Sequence, residues 1–158
     1  MITLRKMTPD EYDVWAPESI AYYAAEHVRA GNWSAEEAPE QARKAFDRYL
    51  PNGRDTEGHY VCSIVDSSSG EKVGYLWYNV QARRTGTRIF ILAFAIDEMH
   101  RRKGYGAAAL KVLETEAARL GADTIELHVF GDNAVARKLY AGLGYRETDL
   151  QMAKAVSA

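Results

Sequence analysis

Between residues 58 and 96 apolar and polar positions follow the two-residue period of extended chain. Tyr60, Cys62 and Ile64 alternate with Val61, Ser63 and Val65, and Ser67-Ser68-Ser69-Gly70 turns the chain into a second run from Val73 to Val80. This is the signature of a β-hairpin. After Arg83-Arg84-Thr85-Gly86, the segment Thr87 to Ile96 carries Ile89, Phe90, Ile91, Leu92, Phe94 and Ile96 almost without interruption. Such a run predicts a strand in the middle of a sheet, buried on both faces.

On either side the period lengthens to that of a helix. After a short β-like stretch over residues 2 to 7, Thr8-Pro9-Asp10-Glu11 combines a capping box with proline in the first helical turn. A helix is predicted from there toward Gly31, with a kink or break near residue 16 because of Pro17. Ser34 and Glu37 repeat the capping-box spacing ahead of a second helix reaching Leu50, its regular part delayed by Pro39 and its end marked by Pro51-Asn52-Gly53. Leu110, Leu113, Ala117 and Leu120 recur at helical spacing between Ala107 and Gly121, and Thr124 to Phe130 alternates again. Asp132 is the expected N-cap of a short helix through Tyr140, and Tyr145 to Val156 leaves room for one or two closing strands. The pattern predicts one α/β domain over residues 1–158 with a mixed sheet.

Composition narrows the function classes. The chain has 158 residues, 47% hydrophobic and 27% charged, with a formal net charge of −2, so no global field favours nucleic acid or an anionic membrane. Cys62 is the single cysteine, and its apolar surroundings predict a buried small side chain rather than a reactive thiol. The first residues have no apolar signal core and no long uncharged apolar run occurs, so a cytoplasmic location is expected.

Candidate chemistry begins at Arg101-Arg102-Lys103-Gly104-Tyr105-Gly106, three cations and two glycines between the buried strand and an alanine-rich helix. Glycines let backbone N–H groups approach phosphate oxygens, and a helix start points unpaired donors at the same place. The alternative is a solvated basic turn. Gly104-Tyr105-Gly106-Ala107-Ala108-Ala109 also fits a dinucleotide-binding turn, but the charged loop from Asp97 to Lys103 and the antiparallel look of the preceding strands speak against a βαβ context. A second group, Asn133, Ala136 and Tyr140, falls on one helical stripe. Taken alone, that stripe reads as core packing with a phenol at its edge.

Together, Arg101-x-x-Gly104-x-Gly106, then Asn133-x-x-Ala136-x-x-x-Tyr140 and Gly142-Leu143-Gly144-Tyr145, resemble the GCN5-related N-acetyltransferase (GNAT) family. The resemblance covers the last two-thirds of the chain, with Tyr145 standing where phenylalanine is commoner. It implies a GNAT-like mixed, mostly antiparallel sheet of six or seven strands flanked by about four helices, with a splayed strand pair. It also implies an acetyl-CoA-dependent N-acetyltransferase with neither metal nor covalent enzyme intermediate. Arg101, Arg102, Lys103, Gly104, Tyr105, Gly106 and Ala107 would wrap the pyrophosphate, while the backbone of Phe94, Ala95 and Ile96 pairs with the pantetheine arm. Asn133 and Ala136 would line that arm.

The same resemblance implies a bulge near Ala93 to Ile96, a gap against Thr124 to Phe130, and a bulge N–H as donor to the thioester carbonyl. Tyr140 is the implied general acid toward the departing thiolate. For the base, His128 takes the position of a glutamate in some relatives, and Glu126 on the same strand face orients or replaces it. The acceptor is a small-molecule or peptide amine that the sequence leaves open; Tyr12, Trp15, Tyr22, Tyr23, Trp33, Trp77 and Tyr78 load the N-terminal segments with rings that stack on amines or simply pack. Asp97 and Glu98 are further candidates for meeting a cation. A homodimer has no sequence signature. The rival of a different class is a noncatalytic acyl-CoA-binding domain, followed by a nicotinamide oxidoreductase.

Overall fold

The computed structural model of the protein describes residues 1–157. They form two compact units, the first from Met1 to Leu127 and the second from His128 onward. In the first, strands β1 (Ile2–Lys6), β2 (His59–Asp66), β3 (Glu71–Arg83), β4 (Gly86–Ile96) and β5 (Thr124–Leu127) make one sheet in the order β1-β2-β3-β4-β5. The first four are antiparallel, and β5 joins β4 in parallel after the crossover helix α3 (Tyr105–Arg119). Helices α1 (Pro9–Arg29) and α2 (Ala38–Tyr49) follow β1, and α4 (Ala134–Gly142) belongs to the second unit.

The sheet has five strands among the described residues, not the six or seven expected. Residues 145–157 carry no strand, and Leu150, Met152 and Val156 are 69%, 89% and 92% exposed. Alternating polarity makes a strand only where a neighbour takes its hydrogen bonds and a core takes its apolar face, and neither condition is met there.

Local chemistry sets the helix starts. The Thr8 Oγ1 accepts from Glu11 N while the Glu11 carboxylate accepts from Thr8 N, closing the capping box of α1. At the second predicted box the Ser34 Oγ accepts from Glu37 N but itself donates to the Glu37 carboxylate, so the reciprocal backbone bond is not made, and α2 begins only at Ala38 with Glu37 as its N-cap, as Pro39 led one to expect. Pro17 does not break α1, which runs through it. The lost hydrogen bond and the clash with the preceding turn cost about 3 kcal/mol, while the helix is pinned on both sides of the proline by buried Trp15, Ser19 and Ala24.

Trp15 is the centre of the core on the α1 side. Its ring lies 5.7 Å from Tyr12, 6.0 Å from Phe46, 5.9 Å from Tyr75 and 5.7 Å from Trp77. Met7, Leu50 and Val61 complete the cluster. Each such side chain contributes about 1.5–3 kcal/mol of burial. Residues of opposite parity on the strands, Ile64, Leu76 and Tyr78, are buried as well, as are Leu110, Leu113 and Ala117 of α3, which packs against β1, β4 and β5. Cys62 is buried too, and burial, with the Glu116 charge adding to it, pushes its thiol up to about 11. It is an inert packing residue.

Trp77 donates its indole N–H to His59 Nδ1 at 3.0 Å, which requires an unprotonated nitrogen there. Burial lowers the His59 pKa below its ordinary 6.5. Because the folded value lies below the unfolded one, the stabilisation from neutral His59 is complete above about pH 6.5 and is lost as pH falls through the lowered folded value. Chemical denaturation followed by Trp fluorescence between pH 8 and pH 5 should show this loss, and His59→Phe should flatten it.

Candidate functional site

The decisive local feature lies in β4. Trp77 pairs with Ala93 and Tyr78 with Ile91, so Leu92 is an extra residue in β4 and forms a bulge, one position ahead of the stretch where it was expected. At the same place β4 loses its other neighbour. The parallel pairing with β5 covers only Arg88 to Ile91 against Thr124 to Leu127. Within this unit Leu92, Ala93, Phe94, Ala95 and Ile96 have a strand on the β3 side alone, so a row of backbone donors and acceptors is left without a ladder. On the β3 side the approach is close: a Cβ at Gly74 would run into the Ala95 carbonyl oxygen.

The strand delivers the chain directly into the basic glycine loop. Arg101 Nε donates to the Ile96 carbonyl at 2.9 Å, folding the loop back on the end of β4, whereas Arg102 and Lys103 are exposed. Arg102 takes a left-handed backbone, φ 62°, and Gly104 another, φ 81°. Gly104 is the N-cap of α3 and offers no side chain to it. The first helical bond is Ala108 N to Gly104 O at 3.1 Å, so the N–H groups of Tyr105, Gly106 and Ala107 have no intrahelical acceptor. Three free donors, the positive end of a 15-residue helix and two exposed cations form an anion-binding arrangement.

Two contacts hold this loop in place. The Tyr105 hydroxyl donates to Asp66 Oδ2 at 2.8 Å, and buried His100 lies 3.4 Å from Glu71 Oε1. Together they tie the loop and the start of α3 to the β2–β3 hairpin. Hydrogen bonds from the Ser68 and Tyr105 hydroxyls hold the Asp66 carboxyl down to about 2. Sequence reading missed these anchors because Asp66 and Tyr105 are 39 residues apart and no short-range pattern links them.

The predicted acid and base positions divide between the two units. Glu126, in β5, is committed to ion pairs with Arg83 at 2.6 Å and Arg88 at 2.9 Å. Burial alone would raise its pKa, but hydrogen bonds from Thr124 and Arg88 and the two guanidinium charges outweigh it and lower the value. His128 opens the second unit, exposed, with its ring edge-on to Phe130 at 5.1 Å. Asn133, rather than Asp132, is the N-cap of α4, its Oδ1 accepting from Ala136 N at 3.2 Å. Tyr140 lies on the same helix, 5.5 Å from the Tyr145 ring. Burial pushes its phenol up to about 12.

Of the aromatic candidates, Trp15, Trp77 and Tyr78 are core at 4%, 3% and 2% exposed. Tyr12, Tyr23 and Trp33 are half-buried, and Tyr22 is exposed at 63%.

Comparison with known proteins agrees with this geometry. Residues 18–145 match the family described as Acetyltransferase (GNAT) family. The chain belongs to the GNAT family. GNAT relatives include the "Uncharacterized N-acetyltransferase YdgE" of Bacillus subtilis (strain 168), 35% identical over 152 residues, with 96% of each chain covered. The crystal structure of YycN, from the same species, superposes with a TM-score of 0.91 at 34% identity and full coverage of both chains. A Pyrococcus furiosus structure shares the GNAT fold at a TM-score of 0.68 and 22% identity, covering 99% of each chain. Acetyltransferase is therefore the activity class of the family to which the chain belongs, and no helix among the described residues is long and apolar enough to cross a membrane.

A Cβ at Gly104 would meet nothing within 4 Å, so the residue is fixed by its left-handed backbone and not by crowding. Gly104→Ala should therefore cost about 1–2 kcal/mol, read as a lowered thermal midpoint of the full chain. An unchanged midpoint would show that the loop relaxes without strain.

Proposed function

We propose that the protein is an acetyl-CoA-dependent N-acetyltransferase that moves an acetyl group directly onto a primary amine. The observation that supports this most is the succession within the first unit: a bulge at Leu92, an unladdered edge from Leu92 to Ile96, and then the open N-terminus of α3 behind Gly104. An extended amide-bearing arm completes such an edge as an added strand. A diphosphate satisfies the donors of Tyr105, Gly106 and Ala107, with Arg102 and Lys103 supplying charge. That pairing of an amide arm with a diphosphate is the chemistry of coenzyme A, and the family match carries the same reading.

In this reading the edge residues Phe94, Ala95 and Ile96 align the arm, and a backbone N–H of the bulge at Leu92 or Ala93 donates to the thioester oxygen as negative charge develops. The amine nitrogen attacks the carbonyl carbon and the C–S bond breaks. We assign Tyr140 to the leaving sulfur, the role that the family resemblance implies for it. With its pKa near 12 it remains protonated throughout the neutral range, and because an alkyl thiol has a pKa of about 8.5, complete proton transfer to the thiolate is uphill. The phenol therefore stabilises the departing sulfur chiefly by donating a hydrogen bond.

An alkylammonium with pKa about 10.4 is neutral in only about one molecule per 10³ at pH 7, so the reaction needs a proton acceptor. We assign that role to His128, whose exposed imidazole can accept a proton on its unprotonated nitrogen. Glu126 is held by two guanidinium groups and serves to order the β4–β5 end rather than to take protons. Asn133 caps α4 with its oxygen, which leaves its amide N–H groups for the cofactor arm.

Release of free thiol from acetyl-CoA on addition of amines, with mass detection of the acetylated product, tests the activity. Tyr140→Phe should lower kcat by about 10²-fold or more while acetyl-CoA affinity stays within a few fold. A variant as fast as the parent at saturating acetyl-CoA would remove Tyr140 from this role.

A further inference from the structure

Two indoles meet in the core on the α1 side, and a hydrogen bond holds only one of them. The Trp15 N–H is buried with no partner among the described residues. The Trp77 N–H donates to His59 Nδ1 at 3.0 Å. Ring packing restrains an indole with little directional preference, whereas an N–H bond favours an angle above about 150°. The Trp77 ring is walled by Trp15 of α1 at 5.7 Å, by Phe46 and Tyr49 of α2 at 5.2 and 5.8 Å, and by His59 of β2 at 5.9 Å.

What this ring supports is the bulge. Trp77 is the β3 residue across from Ala93, and the next rung pairs Tyr78 with Ile91, so the extra residue Leu92 is inserted beside Trp77 itself. Leu92 and Ala93 pack against the cluster that contains Trp15 and Trp77. A bulged residue has lost its rung of the ladder, so its direction depends on where its neighbours seat it. An interior packed as densely as an organic crystal passes a shift of the indole on to that seat.

We propose that His59 is a positioning residue for the acyl transfer, acting through the Trp77 indole on the bulge at Leu92 and Ala93. The inference rests on the acyl-transfer reading, in which a bulge N–H meets the thioester oxygen. Indole nitrogen donates and never accepts, so the bond exists only while His59 Nδ1 is unprotonated. Protonation sets N–H against N–H, and the indole loses its fixed direction. Few groups face this imidazole. From β3 they are Trp77 and, in register, the amide of Asn79, and from α2 the phenol of Tyr49, its ring 6.5 Å away. The turn Gly53–Asp55, which packs on β2, carries Arg54, bonded to the Met7 carbonyl, and Asp55, paired with Lys6. Burial lowers the His59 pKa below 6.5, so the bond is complete above about pH 6.5 and is lost as pH falls through the lowered folded value.

Steady-state kinetics of the full chain with acetyl-CoA and an amine that it acetylates, between pH 8 and pH 5, test this. Removing an oxyanion donor outright costs about 10²–10³-fold in kcat, so a donor displaced but still present should cost about tenfold. His59→Phe, which keeps a ring and lacks the acceptor, is therefore expected to lower kcat by about tenfold at pH 8 with the KM for acetyl-CoA within a few fold. His59→Asn, whose Oδ1 replaces Nδ1 as acceptor and does not titrate, should bring kcat at pH 8 back to within about threefold of the parent. Because protonation of His128 also slows transfer, the parent's kcat should fall on acidification across two ionisations and that of His59→Asn across one. In a Trp77→Phe background, His59→Phe should cost nothing further, which separates action through the indole from a general loosening of the core. All rates are taken below the thermal midpoint of each variant, and if His59→Phe does not fold, the acid limb of His59→Asn decides. A His59→Phe chain as fast as the parent, an unchanged acid limb in His59→Asn, or full additivity of the His59 and Trp77 substitutions would overturn the inference and leave the acyl-transfer reading standing. A parent chain that releases no thiol from acetyl-CoA with any amine overturns both.

Discussion

The constraint on which the rest of this structure depends is the place where β4 stops having two neighbours. A central strand ordinarily spends both rows of its backbone groups on ladders, and burying any of them unpaired costs about 1–3 kcal/mol each. Here β5 is only four residues long and its last partner is Ile91. The bulge at Leu92 falls at the same rung and re-aims the strand just as the ladder ends. An edge produced inside a sheet stays open only if the fold holds it open and something else, water or a ligand, takes its hydrogen bonds.

Rigid surroundings hold it. On the α1 side the cluster around Trp15 and Trp77 fixes β3, and Gly74 allows the β4 backbone to approach as closely as it does. Glu11 ties three elements at once, since it closes the α1 cap, receives Arg5 from β1 and accepts from Ser63 of β2. On the far side the start of α3 is anchored through Tyr105 to Asp66 and through His100 to Glu71. Those anchors determine where the free N–H groups of α3 are presented. A loop with three cations and φ values of 62° and 81° would be poorly placed without them.

Electrostatics on this chain is local. With a net charge of −2 there is little overall field, yet three positive residues gather at 101–103. Arg83 and Arg88 are absorbed by Glu126. Charge at one spot therefore says little until its partners are known: Glu126 is clamped by two arginines in β5, whereas Arg102 and Lys103 ahead of α3 are exposed.

Much of the fold was legible in the chain because its signals are local. The capping box at Thr8, the hairpin at residues 67–70, the apolar run of β4 and the glycine ahead of α3 each act within a few residues, and each appears where the pattern predicted. The basic glycine loop and the Asn133-to-Tyr140 stripe were likewise enough to indicate the family. Pro17 failed as a breaker because buried neighbours outweighed one missing hydrogen bond, and Tyr145 to Val156 failed as strand because alternation cannot supply a partner. Which carboxylate is neutralised, which aromatic ring is core, and where Tyr75 meets α1 depend on residues tens of positions apart. The sequence alone determined the elements and the family, through interactions that close within one turn or one hairpin. Only the tertiary structure decided the open edge, the anchoring of the loop and the ring cluster behind the bulge, because strand register and helix packing bring those groups together across the chain.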